Sequence, residues 1–209
     1  MNPLVELLKF YKEIGVEYMK PLNIKTKAEE FEKLKKEVEN CKRCELYKSR
    51  TNPVFGEGSI EADIMFVGEA PGRDEDIQGR PFVGRAGRLL RELLKETGID
   101  VERVYIANCL KCRPPMNRDP LPEELISCFD YLKRQIEIIE PKVIATLGRY
   151  STYELTNQKG ALGTLRGRVF DYRGIKVVPL YHPAYLLRNP KAIDIFLDDL
   201  KRVKAISEQ

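Results

Sequence analysis

The segment VGEAPGRDEDIQGRPFVGRAG, residues 67–87, joins an apolar strand pattern at residues 64–67 to a helical pattern at residues 84–96. Glycine, proline and acidic residues dominate its first half, and such residues are poor material for a hydrophobic core. In open α/β sheets, ligands bind in the loops that follow the carboxyl ends of the strands. We therefore predict that this segment forms part of a functional site.

Strand and helix patterns alternate outward from this segment, which determines the fold class. Alternation at this spacing predicts right-handed crossovers and a parallel sheet covered by helices on both faces. The predicted fold is a single-domain, three-layer α/β/α structure with a central four-stranded, mainly parallel sheet. The four strands are expected at residues 64–67, 104–107, 143–147 and 176–180, with helices at 84–96 and 122–139 between the first three.

Further patterns complete the predicted order of elements. Thr26, followed three residues later by Glu29, is typical of a capping box and predicts a helix to about residue 39. An amphipathic pattern precedes it, so we expect a helical extension over residues 1–25 and the main domain over residues 26–209. Helices are also expected at 149–155 and 190–206, and a hairpin at 169–180.

The composition limits the possible classes of protein. Hydrophobic residues make up 43% of the 209, as in a globular domain, and the formal net charge of +4 is compatible with a polyanionic partner without requiring one. We find no targeting segment and no apolar stretch of about 18 residues that could cross a membrane. The sequence therefore favours a cytoplasmic, monomeric protein.

The five cysteines indicate metal or cluster binding rather than disulfides. Their order is Cys41-x2-Cys44, then Cys109-x2-Cys112, and finally Cys128. A secreted disulfide framework normally uses an even number in a short chain. The two C-x2-C pairs could form a four-thiolate zinc site, and iron–sulfur clusters also take four thiolates. Buried cysteines without a ligand are the third alternative, which is favoured for Cys109 taken alone because it lies just past a predicted strand.

Three further residues can carry chemistry at the same edge of the sheet. His182, the only histidine, directly follows the fourth predicted strand, and Asn108 ends the second. An asparagine amide offers both a donor and an acceptor, as reading a base edge requires, although it could equally close a turn. Phe82 could be a stacking platform, but composition alone favours a place in the core.

Four motifs stand in order along the chain: GEAPG at 68–72, GRPFVGR at 79–85, NCLKCRPP at 108–115 with NRDP at 117–120, and HPAYLLR at 182–188. Together they resemble the family 4 uracil-DNA glycosylases. The resemblance covers the chain from about residue 37 onward. One departure is Ala184, where the family motif often has serine, which removes a possible hydroxyl–phosphate contact.

The resemblance implies an enzyme of DNA repair and a cofactor. Such an enzyme flips uracil out of single- or double-stranded DNA, hydrolyses its N-glycosidic bond and leaves an abasic site. It also implies a structural 4Fe–4S cluster held by Cys41, Cys44, Cys112 and Cys128, with Cys109 spare. The alternatives are a sister glycosylase with a broader range of deaminated bases, and a non-catalytic DNA-binding iron–sulfur domain. A replication or repair protein could contact the N-terminal helix.

The resemblance also implies roles for individual residues. Glu69 would act on the sugar and the attacking water, and His182 would donate a hydrogen bond to uracil O2. Phe82 would stack on the base, contrary to the expectation from composition. The uracil-binding residues would be Gly68, Ala70, Glu75, Phe82, Asn108 and Asn117, with Asn108 pairing with the base edge and Glu75 excluding thymine at C5. DNA would be held by Arg85, Arg113 and Arg188, with Leu186 or Leu187 wedged into the base stack.

Overall fold

The computed structural model describes Phe10, Tyr11, Ile14 and residues 26–209 of the chain. The remainder of the predicted N-terminal helical extension lies outside the described residues. Within the described part, no helix is long and apolar enough to cross a membrane.

A six-stranded sheet forms the centre of the fold, in the order β1-β3-β2-β4-β6-β5. The four middle strands are parallel, and the two edge strands pair antiparallel to their neighbours. This confirms the four predicted strands and the hairpin, and adds a two-residue edge strand that the sequence analysis missed. The strands are β1 Glu57–Gly58, β2 Ile64–Gly68, β3 Val104–Asn108, β4 Val143–Leu147, β5 Phe170–Tyr172 and β6 Ile175–Leu180.

Eight α-helices are described, one before the first strand and seven between and after the strands. The capping box at Thr26 is present, because its hydroxyl accepts from Glu29 N while the Glu29 carboxylate accepts from Thr26 N. The helices are α1 Lys27–Glu39, α2 Arg73–Gln78, α3 Arg85–Glu96, α4 Pro122–Ile139, α5 Arg149–Thr156, α6 Leu162–Leu165, α7 Pro183–Arg188 and α8 Ile193–Ser207. Short 3₁₀ helices occupy Glu45–Lys48, Val101–Arg103, Pro115–Asn117 and Pro190–Ala192.

Alternation along the strands divides the core into two layers. On β2, Met65 and Val67 belong to the cluster formed with α1 and α4, whereas Ile64 and Phe66 belong to the cluster formed with α3 and α8. Successive side chains of a strand point to opposite faces of the sheet, so each face receives its own helices. The predicted three-layer α/β/α arrangement is confirmed.

Candidate active site

The carboxyl ends of the parallel strands form one edge of the sheet and carry the candidate site. Gly68 at the end of β2 lies opposite Asn108 at the end of β3, and Leu147 of β4 lies opposite Leu180 of β6. A cavity of about 490 Å³ opens at this edge, within the usual range for small-molecule sites. Eight of the predicted residues line it: Glu69, Ala70, Glu75, Phe82, Asn108, Asn117, His182 and Arg188.

Asn108 is buried beside this cavity with one unsatisfied polar atom. Its side chain is 2% exposed, and its Oδ1 has no hydrogen-bond partner among the described residues. A buried acceptor without a partner is costly, by about 1–3 kcal/mol. Because Asn108 lines the cavity, a ligand with an N–H group could satisfy this atom.

Phe82 lies both in the core and in the cavity wall. It is 6% exposed, packs with the cluster around α3 and α8, and has a φ of 52° in the left-handed region. Its ring is nearly parallel to the imidazole of His182, with centroids 5.8 Å apart and an interplanar angle of 30°. Gly87 permits this placement, since a Cβ there would be 1.8 Å from Phe82 O. A place for Phe82 in the core, expected from composition, is therefore compatible with stacking on the base, the role that the resemblance implies.

Glu75 lines the cavity, but its carboxylate also has a structural partner. Oε1 accepts hydrogen bonds from Val83 N and Gly84 N, each at 2.9 Å. Gly84 is the N-cap of α3, so the carboxylate satisfies backbone donors at the start of that helix. Glu75 thereby fixes the loop that carries Phe82. Its role at C5 of the base stays a prediction.

His182 is the N-cap of α7, and one ring nitrogen is engaged there. Nδ1 accepts from Ala184 N at 3.1 Å. Burial, assisted by the positive charge of Arg188, lowers the pKa of His182 to about 4. The ring is therefore neutral at pH 7, and with Nδ1 as the acceptor its proton is on Nε2. His182 offers a neutral N–H donor to the cavity.

Glu69 is a half-buried carboxyl group in the cavity wall. Burial raises its pKa to about 7, the negative charge of Asp119 adds to the rise, and Arg149 opposes it. Arg149 forms an ion pair with Asp119 at 2.5 Å. The sequence analysis missed Asp119 and Arg149. The signal was present for Arg149, because it begins α5 two residues after the end of β4, at the same sheet edge.

The loop after β3 brings Asn117 into the cavity wall. Arg113 Nε donates to Asn117 Oδ1 at 2.7 Å, so the two predicted residues contact each other. Arg118 is held by a bidentate ion pair with the buried Glu124 carboxylate. These contacts hold the loop after β3 in place and bring the guanidinium groups of Arg113 and Arg118 close to the cavity.

Residues expected to contact DNA differ in their exposure. Leu186 is 0% exposed and packs in the core with α3 and α8, so insertion of this side chain into DNA would require the core to open. The burial of Leu186 therefore disfavours it as the wedge residue. Leu187 is 44% exposed, and Arg85 and Arg188 are also exposed. Leu187 is thus the more accessible leucine of this motif.

The four cysteines of the predicted cluster converge beside α4. Cys112 and Cys128 are buried in the core cluster, and Cys41 and Cys44 pack against it. Burial raises the pKa of Cys112, although the hydrogen bond and positive charge of Arg50 oppose the rise. Cys109 is completely buried in the same core cluster, with burial raising its pKa above the usual range.

Hydrogen-bond donors point at three of these four sulfur atoms. Arg50 Nη1 donates to Cys112 Sγ at 3.1 Å, Lys111 N to Cys128 Sγ at 3.2 Å, and Arg43 N to Cys41 Sγ at 3.5 Å. Such donors stabilise thiolates. In the described part of the chain, no three His, Cys, Asp or Glu side chains are placed to hold a metal ion.

Comparison with known proteins gives consistent matches over most of the chain. The model of the uracil DNA glycosylase superfamily matches residues 55–204. The type-4 uracil-DNA glycosylase of Sulfurisphaera tokodaii is 47% identical over 185 residues, which are 84% of each chain. That of Thermotoga maritima is 47% identical over 184 residues, 86% of this chain and 96% of its own. The type-5 uracil-DNA glycosylase of Pyrobaculum aerophilum is 30% identical over 169 residues, 73% of this chain and 74% of its own.

Proposed function

The chain belongs to the uracil-DNA glycosylase superfamily, and from that premise we propose which of its residues perform the reaction. It is a DNA repair hydrolase that excises uracil from DNA. The observation that carries the assignment of residues is the unsatisfied Oδ1 of Asn108 in the cavity wall.

Asn108 reads the base in this proposal. A base within a duplex is unreachable, so the nucleotide is flipped into the cavity, where Phe82 lies against the ring. Asn108 Oδ1 accepts from uracil N3–H, and its amide nitrogen donates to uracil O4. Cytosine has no proton on N3 and an amino group at C4, so both contacts would be lost. Buried polar groups left unpaired discriminate strongly between such ligands.

His182 stabilises the leaving group. Cleavage of the N-glycosidic bond leaves negative charge on uracil, and a preorganised donor is most effective where that charge develops. The neutral Nε2–H of His182 donates to uracil O2. Because Ala184 N holds Nδ1, the ring presents this donor without reorganising during the reaction.

Glu69 acts on the opposite side of the bond. The sugar gains oxocarbenium character as uracil leaves, and a carboxylate stabilises this positive charge. The same carboxylate orients a water molecule and accepts its proton as the water attacks C1′. A pKa of about 7 suits this task, since a general base works best when its pKa is near the operating pH.

Cys41, Cys44, Cys112 and Cys128 hold a 4Fe–4S cluster in this proposal, which makes the cluster a local cross-link between α1, the loop after β3 and α4. The four cysteines have the right number and type of side chain, because 4Fe–4S clusters bind four cysteine thiolates. A four-thiolate zinc site formed by the two C-x2-C pairs is the alternative.

DNA is held by the basic residues around the cavity. Arg85 and Arg188 are exposed beside it, and Arg113 lies on the neighbouring loop. Guanidinium groups bind phosphates of either single- or double-stranded DNA without reading sequence. Leu187 fills the space that the flipped base leaves in a duplex.

The assignment is tested with single- and double-stranded oligonucleotides that contain one uracil, followed by alkaline cleavage of the abasic sites. Asn108→Ala and His182→Ala should each lower the rate of uracil release by about 100-fold or more, as loss of a transition-state donor does. Thermal unfolding of both variants checks the fold. Gln158→Ala, an exposed amide side chain that does not line the cavity, is the control and should keep the wild-type rate.

The wild-type rate in either active-site variant would contradict the assignment of that residue. The same assay with hypoxanthine in place of uracil measures the range of bases. Equal release of both would assign the chain to a broader deaminated-base glycosylase, because hypoxanthine presents the same N–H and carbonyl edge to Asn108 and differs from uracil in the size of its purine ring.

A further inference from the structure

Lys111 is a completely buried lysine to which the proposed reaction assigns no task. It is 1% exposed and lies between the uracil-reading residue Asn108 and the cluster ligand Cys112. Lysine is almost never fully buried unless its charge is compensated, because removing an ammonium ion from water is costly. The surroundings of this side chain must therefore supply the hydrogen-bond acceptors and the negative charge that stabilise the ammonium group in place of water.

The ammonium group contacts two oxygen atoms at the end of β3. Nζ donates to Asn108 O at 2.9 Å and to Gln135 Oε1 at 2.6 Å. Gln135 is also completely buried, and its Nε2 donates to Phe55 O and Tyr105 Oη, each at 2.9 Å. Because Nε2 of Gln135 donates to these two oxygen atoms, the side-chain amide is oriented with Oε1 toward the Lys111 ammonium group. The network therefore anchors the backbone of Asn108 to α4.

The negative charge opposite Lys111 comes from sulfur. In the described part of the chain, the Lys111 ammonium group contacts no carboxylate, and the ionisable side chains around it are the thiol groups of Cys128, Cys109 and Cys112. Its own backbone N–H donates to Cys128 Sγ. Thiolates that bind iron carry negative charge, so two of these three groups become anions when the cluster is present.

We infer that Lys111 is a positioning residue that couples the cysteine cluster to uracil recognition. Its ammonium group is retained in the interior by the charge of the thiolate ligands, and it holds Asn108 through the backbone carbonyl oxygen. The amide of Asn108 is thereby kept in the orientation that receives uracil. This inference rests on the proposed function and on the proposed cluster.

The test is Lys111→Met in the holoenzyme, which keeps the length of the side chain and removes its charge and its donors. We expect kcat for uracil release to fall about tenfold or more, with KM changed by less than about twofold, because the orientation of Asn108 matters most in the transition state. We also expect the reduction potential of the cluster to become more negative, because a nearby positive charge is lost. Lys95→Met, an exposed lysine on α3, is the control and should change neither quantity.

A purely structural role for Lys111 would lower the melting temperature but leave kcat and the reduction potential at their wild-type values, and that result would overturn the inference. If Lys111→Met does not fold, Gln135→Glu decides. It places a carboxylate on the ammonium group and should also shift the potential to a more negative value. An unchanged potential in that variant would overturn the inference.

The measurements separate this inference from the proposals beneath it. A wild-type protein that releases no uracil would refute the proposed function, while the potential, measured without DNA, would still report on Lys111. A wild-type protein purified without iron would refute both the cluster and the coupling.

Discussion

A methyl group on Gly68 would lie 2.3 Å from Oδ1 of Asn108. It would also lie 2.7 Å from Cζ of Phe82, so this glycine is the point where β2 approaches both residues of the base site. Its backbone conformation is one that any residue can adopt, because its φ is not in the left-handed region. The need for glycine here is therefore steric and concerns the site rather than the strand.

Gly68→Ala should abolish uracil release while preserving most of the fold. The added methyl group must displace the Asn108 amide or the Phe82 ring, which removes the geometry that receives the base. We expect the rate to fall about 100-fold or more, since small displacements of reacting groups have effects of this size. The measurement is uracil release together with thermal unfolding.

Gly160→Ala is the matched control, because a Cβ there meets nothing closer than 3.9 Å. It should keep the wild-type rate. Gly68→Ala with undiminished activity would show that the base binds elsewhere in the cavity.

The pH dependence of the reaction should follow Glu69. The carboxylate is the active form, and its pKa of about 7 lies above the ordinary value because burial disfavours the charge. The rate should therefore rise about tenfold per pH unit below pH 7 and become constant above it. Single-turnover rates between pH 5 and pH 9 measure this. In Glu69→Gln the increase of the rate with pH should disappear, and the rate should stay low from pH 5 to pH 9. A wild-type profile that is flat across pH 7 would exclude Glu69 as the base.

His182 should remain neutral across the whole working range. Its pKa of about 4 lies below the usual value, so protonation occurs only as the pH falls toward 4. The chain has one histidine, which makes its ¹⁵N resonances unambiguous. We expect spectra at pH 7 to show the tautomer with the proton on Nε2, as the bond from Ala184 N requires. A titration midpoint between 6 and 7 would contradict both the burial and the role as a neutral donor.

Substitution of Leu186 and of Leu187 should have different effects, the first on the stability of the fold and the second on contact with DNA. Leu186→Ala should lower the free energy of unfolding by about 2–5 kcal/mol, as for other buried leucines. Leu187→Ala should leave stability nearly unchanged and slow uracil release from double-stranded DNA much more than from single-stranded DNA. Urea unfolding and parallel assays on the two substrates provide the comparison. An equal effect of Leu187→Ala on both substrates would mean that this side chain does not wedge into the duplex.

Periodic patterns made the sheet and the long helices predictable from the sequence. The helix Pro122–Ile139 has the predicted bounds because proline starts it and apolar residues repeat along its buried face. The edge strand Glu57–Gly58 was missed because two residues carry no alternation. The helix Arg73–Gln78 was missed for a similar reason, since its six residues are mainly charged and only Asp76 is buried.

The position of cavity residues was predictable where they stand at strand ends, as with Asn108 and His182. The pairing of Asp119 with Arg149, which tunes Glu69, joins residues 30 positions apart and leaves no local pattern. The difference between Leu186 and Leu187 depends on which side of a six-residue helix faces the core. Both are consequences of tertiary packing.

The contact of Glu75 with the backbone N–H groups of Val83 and Gly84, directly before α3, has a consequence for how salt affects binding. Free N–H groups at the start of a helix are a natural binding place for phosphate. Here the carboxylate of Glu75 lies directly beside that place, because it is bound to the N-cap Gly84 and to Val83 before it, so it would repel a DNA phosphate. The attraction to the DNA backbone then comes from guanidinium groups, each of which displaces a condensed counterion when it binds a phosphate. The logarithm of the affinity should therefore decrease in proportion to the logarithm of the salt concentration, with a slope that counts those arginines.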